Sequence, residues 1–169
     1  LFADLPLLTA KPQMIVWNVS EGFSDTPPSP PLERGGAPTI KISAKLEAEL
    51  ADLSPEEAKE YLKELGMNQT GLDKLIVAGY QLLDLITFLT SGEPETRAWT
   101  VRAGATAPQA AGVIHTDFEK GFIRAEVVDW EKFVTHNGWH GSKEAGAMRL
   151  EGKEYVVQDG DVCFFRVAT

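Results

Sequence analysis

The feature that most constrains this fold is one short run, Gln13-Met14-Ile15-Val16-Trp17, which ends in polar Asn18-Val19-Ser20-Glu21. A continuous apolar run with polar residues at its carboxyl end predicts a buried central strand of an α/β sheet. In such sheets ligands sit beyond the carboxyl ends of the strands, so Asn18–Glu21 is placed where chemistry is expected. Thr26-Pro27-Pro28-Ser29-Pro30-Pro31 follows and excludes a helix interior. A second short strand is expected over Ala37–Ile42, ending in Ser43-Ala44-Lys45. The pattern therefore offers two strand ends, each followed by a polar loop.

Helix signals come next. Ser54-Pro55-Glu56-Glu57 reads as an N-cap, a Pro in the first turn and a capping-box Glu, with Gly66 as the stop. Thr70-Gly71-Leu72-Asp73 opens a second helix, whose stripe of Leu72, Leu75, Ile76, Gly79, Tyr80 and Leu83 is expected to pack inward. Gly79 on that stripe is expected to allow close helix packing. From residue 85 the pattern changes to strands at Ile86–Leu89, Ala98–Val101, Phe122–Val128, Tyr155–Val157 and Cys163–Val167. A helix opens at Thr106-Ala107-Pro108-Gln109 and a short one at Asp129, with turns at 91–94, 151–153 and 158–161. This order predicts a small α+β sheet wrapped on one helix.

Composition narrows the function classes. With 43% hydrophobic and 24% charged residues the chain can build a core. No run approaches the ~18 apolar residues of a membrane span. The opening Leu1-Phe2-Ala3-Asp4 lacks a basic flank and a cleavage signal, so no signal peptide is expected; without a starting Met, it reads as a piece of something longer. The net charge is −9 and no region is basic, so bulk electrostatic capture of nucleic acid is not indicated, DNA least of all. The single cysteine, Cys163, lies in an apolar run and reads as a buried inert thiol. His115, His136 and His140 lack metal-ligand spacing, and His115 reads as a helix-terminal residue.

Two sites remain. In P-loop NTPases an Asn-Lys-x-Asp loop after such a strand reads the base, its Asp accepting two N–H bonds from guanine. Here Val19 replaces the Lys and Glu21 the Asp. The longer carboxylate shifts from the guanine edge, and it would repel adenine N1. An Asn amide can pair with adenine N6 and N7, which leans toward ATP or relaxed specificity. Alternatively Asn18 caps its own loop. Ser43-Ala44-Lys45 matches the companion loop, its backbone N–H facing the base; alternatively Ser43 is an ordinary helix cap. The second site is strand 122–128. Alternation puts Ile123, Ala125 and Val127 on one face and Phe122, Arg124 and Glu126 on the other. An aromatic beside an Arg can stack a base or grip a protein, with Lys120, Arg97 and Arg102 joining; a solvated sheet face is the plain alternative.

Residues from about 37 to 169 resemble the Obg-like ATPases, the YchF family of P-loop proteins. The resemblance rests on Ile42-Ser43-Ala44-Lys45-Leu46-Glu47-Ala48-Glu49-Leu50, on Arg97-Ala98-Trp99-Thr100, on the long run Gly104–Val127 and on Val157-Gln158-Asp159-Gly160-Asp161-Val162. It implies an α/β remnant of a P-loop NTPase domain followed by an α+β, ubiquitin-like β-grasp TGS domain. The implied divisions are 1–50 for the end of the nucleotide-binding domain, 51–84 for a helical pair closing it, and 85–169 for the TGS domain. The family's base-reading residues fall on Asn18, Val19, Glu21, Ser43 and Ala44, with ATP preferred over GTP. The resemblance further implies a cytoplasmic protein that contacts ribosomes or RNA in translation or stress regulation.

Departures qualify this. No Gly-x-x-x-x-Gly-Lys-[Ser/Thr] occurs, so the phosphate cradle and the Mg²⁺-binding hydroxyl are absent. The family's helical insertion is absent too, and the Pro-rich link is short for a parallel crossover, so it is either truncated or lacks residues around 22–39. The chain alone is expected to bind ATP or GTP weakly or not at all and not to hydrolyse them; Mg²⁺ belongs to the intact parent. The competing reading is a non-catalytic β-grasp module that binds a protein or RNA. A domain with chemistry of its own finds no nucleophile–base pair here.

Overall fold

The computed structural model describes residues 11–20, 37–93 and 95–168. The chain divides between Leu83 and Asp84 into two compact units.

In the first unit, β1 (Ile15–Asn18) pairs in parallel with β2 (Thr39–Ile42), Ile15 opposite Thr39 and Asn18 opposite Ile42. The ladder continues one step past β1, where the Val19 N–H donates to the Ile42 carbonyl at 2.9 Å. The expected burial of the first strand does not hold. Ile15 and Val16 are exposed, because among the described residues β1 has only β2 beside it, and parallel strands are buried by helices and further strands.

Helix α1 (Ala44–Ala51) follows β2 directly, with the Ser43 hydroxyl accepting from Leu46 N–H and with Leu46 and Leu50 buried. Helix α2 (Pro55–Glu64) begins with the expected capping box of Ser54 and Glu57. It ends in a Schellman arrangement: Met67 N–H reaches the Leu62 carbonyl at 2.8 Å and Gly66 N–H the Lys63 carbonyl at 3.0 Å, Gly66 taking φ +70°. Helix α3 (Gly71–Leu82) opens on a second capping box, Thr70 with Asp73.

The stripe on α3 packs less than its period suggests. Leu72, Ile76 and Leu83 are about half exposed, whereas Leu75 and Tyr80 are partly buried. The close approach is at Gly71, not at Gly79. Its N–H donates to Glu47 Oε1 at 2.7 Å, and a Cβ there would lie 2.8 Å from both Glu47 Oε1 and Ile42 Cγ2. Among the described residues nothing lies within 4 Å of a Cβ at Gly79.

In the second unit, β3 (Leu85–Ser91) and β4 (Thr96–Arg102) form a hairpin. Strand β7 (Asp161–Val167) runs parallel to β3, and β5 (Phe122–Asp129) and β6 (Arg149–Glu151) complete a sheet of order β4-β3-β7-β5-β6. Helix α4 (Ala107–Ile114) lies on one face. Its buried Ala107, Ala110 and Ala111 are small enough to bring it close to Phe88, Val101, Ala125, Val127 and Cys163. His115 joins α4 to α5 (Thr116–Lys120), its Nδ1 accepting from Asp117 N–H at 3.2 Å. At the end of β5, Asp129 caps α6 (Trp130–Thr135) as expected. Helix α7 (Trp139–Glu144) was not evident in the sequence; Asn137 and Gly138, both at positive φ, turn the chain into it.

Two strand expectations fail. Tyr155–Val157 is no strand but a bridge, Thr106 to Val156, held by Val157 N–H to the Ala105 carbonyl. Strand β6 instead begins at Arg149 and takes up Glu151, expected in a turn.

The alternation along β5 also breaks. The register shifts between Phe122 and Arg124, since Phe122 faces Val167 while Arg124 faces Arg166. Ile123 is the extra residue of a β-bulge. Phe122 therefore turns into the core at 4% exposure, and Ile123 turns outward at 57%.

These packings can be checked by unfolding of the whole chain. Phe122→Ala is expected to cost about 3–5 kcal/mol in the second unit, and Ile123→Ala no more than about 0.5 kcal/mol. In the first unit Gly79→Ala is expected to stabilise by about 0.5–1 kcal/mol, whereas Gly71→Ala destabilises by about 1–3 kcal/mol. Circular dichroism against urea separates these outcomes; equal costs at Phe122 and Ile123 would contradict the bulge.

Candidate functional site

Parallel pairing of β1 and β2 sets their carboxyl ends side by side, and that is where the site is built. Asn18 is the last residue of β1. Its Oδ1 accepts from Ala44 N–H at 3.0 Å, across a sequence separation of 26. Ala44 is the first residue of α1, and a first-turn N–H has no partner inside its own helix. Asn18 supplies that partner. Meanwhile the Ser43 hydroxyl takes the Leu46 N–H at 3.3 Å, so two first-turn donors of α1 are satisfied from two directions.

Asn18, Val19, Ser20 and Lys45 line an open cleft of about 530 Å³. Lys45 is paired with Glu49 at 3.5 Å. Asn18 thus serves as more than a cap for its own loop, because its carbonyl oxygen spans two loops. That bond leaves the Asn18 amide NH₂ as a donor with no partner among the described residues. The Ala44 N–H, expected to face a base, is already donated to Asn18, so a base can use it only by exchanging that bond. Glu21 lies outside the described residues.

A purine edge fits the groups present: the Asn18 NH₂, the exchangeable Ala44 N–H and a cleft open at the strand ends. A triphosphate with Mg²⁺ does not fit these residues. No group of three metal-capable side chains occurs among the described residues, and the sequence holds no phosphate loop. These residues can orient a base; the rest of a nucleotide would have to be held by other groups.

The residues expected to form a partner face do not come together. Phe122 is in the core. Arg97 stacks on Trp99 at 4.3 Å, on the helix-covered side of edge strand β4. Lys120 ends α5. Arg124 lies on the other side of the sheet, opposite Arg166. The aromatic that accompanies it is Phe164, with the Arg166 guanidinium 4.3 Å from its ring centre. Reading β5 and β7 as a register pair would have found Phe164; single-strand alternation could not, because of the bulge.

The remaining reactive groups are structural. Asp161, buried, accepts from the Tyr155 hydroxyl at 2.6 Å and from Gln158 N–H at 2.9 Å, and Arg149 approaches at 3.4 Å. Burial, then the bond to Asp161, pushes the Tyr155 hydroxyl well above the usual tyrosine range. Burial does the same to the Cys163 thiol, which is therefore a poor nucleophile. Among the described residues no helix is long and apolar enough to cross a membrane.

Comparison with known proteins identifies the family. Residues 85–168 match the family YchF-GTPase_C, described as a protein of unknown function (DUF933). The "Ribosome-binding ATPase YchF" of Haemophilus influenzae is 53% identical over 94% of this chain and 45% of its own length. The "Obg-like ATPase 1" of Gallus gallus is 51% identical over 79% of this chain and 34% of its own. Among solved structures, the Schizosaccharomyces pombe YchF GTPase aligns with a TM-score of 0.70 and 41% identity, over 78% of this chain and 34% of that one. The chain spans about half the length of the bacterial relatives it matches, or less of the others. With residues 85–168 forming a YchF-GTPase_C domain, the chain belongs to the YchF family of Obg-like ATPases and matches their C-terminal part.

Proposed function

We propose that this chain supplies the base-recognition edge and the ribosome-binding module of a nucleotide-dependent, cytoplasmic YchF-type protein, with ATP preferred over GTP. The observation that carries the nucleotide part is the Asn18 Oδ1 to Ala44 N–H bond, which joins the two loops. In this reading the Asn18 NH₂ donates to a purine ring nitrogen common to adenine and guanine. Selectivity then falls to Glu21, whose side chain is one methylene longer than the Asp that pairs guanine in the Asn-Lys-x-Asp loop. The proposed divisions are 1–50 for the nucleotide-binding part, 51–84 for the helical pair and 85–169 for a β-grasp TGS module. Support for the β-grasp lies in the strand order, where the first and last strands of the unit are adjacent and parallel around one helix.

The ribosome reading is supported by the names of the relatives, which are ribosome-binding ATPases. On the module, contact is proposed at Arg124, with Arg97 and Lys120 as separate cationic points on other surfaces. A second reading, a binding module that needs no nucleotide, is favoured by the second unit having a core of its own. Whether nucleotide alters pelleting with ribosomes separates the two.

Lacking a phosphate loop, the chain is expected to bind fluorescent ATP only weakly, without saturation below about 1 mM, a level worth roughly 4 kcal/mol. It is expected to release no phosphate above buffer. Tight binding or turnover would overturn the reading. In a chain that also carries a phosphate-binding segment, Glu21→Asp is expected to shift the ATP-to-GTP affinity ratio toward GTP by about tenfold, the worth of one good hydrogen bond. An unchanged ratio would remove Glu21 as the selectivity element.

A further inference from the structure

The first turn of α1 is tied twice to distant parts of the chain. Asn18 Oδ1 accepts the Ala44 N–H at 3.0 Å. Three residues on, Glu47 Oε1 accepts the Gly71 N–H at 2.7 Å, across a sequence separation of 24. Ala44 opens α1 and Gly71 opens α3, so each bond gives the first N–H of a helix an acceptor from an earlier element. In series they run from the end of β1, through one turn of α1, to the start of α3.

Helix initiation does not account for the second bond. Helix α3 has a complete capping box, with the Asp73 N–H on the Thr70 hydroxyl at 2.9 Å and the Thr70 N–H on Asp73 Oδ2 at 3.0 Å. A carboxylate brought in from α1 adds position rather than a start signal. The fit around it is tight. A Cβ at Gly71 would lie 2.8 Å from both Glu47 Oε1 and Ile42 Cγ2. Ile42 stands opposite Asn18 in the ladder, and its carbonyl accepts the Val19 N–H at 2.9 Å. The start of α3 therefore lies against both the last residue of β2 and the helix turn that carries Ala44. That turn is closed by the Glu47 N–H on the Ser43 carbonyl at 3.0 Å, so it moves as a unit. A displacement that frees Ala44 from Asn18 also disturbs the charge-assisted bond to Gly71, which is short and directional.

We infer that Glu47 is a positioning residue for the base edge. It holds the first turn of α1 so that the Ala44 N–H meets Asn18, and it passes a change in that bond to the start of α3. The inference rests on the base reading only for what displaces Asn18; the tie itself needs no ligand. Helix α3 is the last helix before the second unit begins at Asp84, so a change that reaches it has left the cleft.

The test uses the ¹⁵N-labelled 169-residue chain and follows amide exchange at Ala44 by NMR in the unaltered form, Asn18→Ala, Glu47→Ala and the double variant. Glu47→Ala should speed exchange at Ala44 about threefold although Asn18 is intact. It should add nothing to Asn18→Ala, because without its acceptor that amide has no alignment left to lose. A loss of stability alone would instead speed both backgrounds alike. Glu57→Ala, which breaks the capping box of α2, should leave Ala44 unchanged. If Glu47→Ala loses its circular dichroism signal, Glu47→Gln, which keeps an acceptor oxygen but not the charge, is read through the same cycle. Exchange at Ala44 that ignores the Glu47 substitution, or that speeds equally with and without Asn18, overturns the inference.

Adenosine titrated into the millimolar range supplies the second arm. The Ala44 and Gly71 amide resonances should shift in proportion, and in Glu47→Ala the Gly71 shift should vanish while that of Ala44 persists. If Ala44 shifts and Gly71 does not in the unaltered chain, the coupling falls and the base reading stands. If adenosine moves neither amide while the exchange cycle comes out as expected, the base reading falls and Glu47 keeps its positioning role.

Discussion

One hydrogen bond organises the first unit: the Asn18 side chain holding the Ala44 amide. It matters because of where the two residues stand. Parallel strands put both carboxyl ends on one edge, and a helix starting at once after β2 leaves first-turn N–H groups pointing back over that edge. A side chain at the end of the neighbouring strand is then the natural acceptor. A bond of this kind contributes only about 1 kcal/mol to stability, yet it fixes the relative position of two loops far apart in sequence. Beyond α1 the same economy recurs, with Glu47 accepting from Gly71 N–H and so tying α1 to the start of α3. Gly71 is required there because any side chain would meet Glu47 and Ile42.

The second unit depends on a different device. A helix faced with alanines lies close against a mixed sheet, and a bulge in β5 decides which side chains join it. By turning Phe122 inward and leaving Arg124 outward, the bulge separates two residues that plain alternation would have placed together. The outward surface then takes its aromatic from the neighbouring strand, as Phe164. The core gains a large ring, and the open face gains a supported guanidinium.

How much of this was legible in the sequence follows from the range of the interactions. Capping boxes at Ser54 and Thr70, the cap at Asp129 and the hairpin around residues 91–96 are local, and each was readable from neighbouring letters. The loop pair at Asn18 and Ser43–Ala44 was readable as two strand ends, although the bond between them was not. Failures came where tertiary context overrides pattern. The α3 stripe has the right period, but Leu72, Ile76 and Leu83 stay half exposed, and among the described residues nothing lies within 4 Å of a Cβ at Gly79. Tyr155–Val157 has strand composition, but its groups serve Asp161 and the start of α4. Helix α7 has weak propensity and is held by Trp139, whose ring packs on Phe133 and Phe164 and whose Nε1 donates to the Ser91 carbonyl.

The central claim, that Asn18 joins the two loops through the Ala44 amide, is tested most directly by amide hydrogen exchange at Ala44, followed by NMR. Among the described residues that amide has no other acceptor, so protection is predicted in the unaltered chain. Exchange about tenfold faster is predicted in Asn18→Ala, with the Ser43-capped amide of Leu46 unchanged. An Ala44 amide that exchanges freely from the start, or one indifferent to the loss of Asn18, would contradict it.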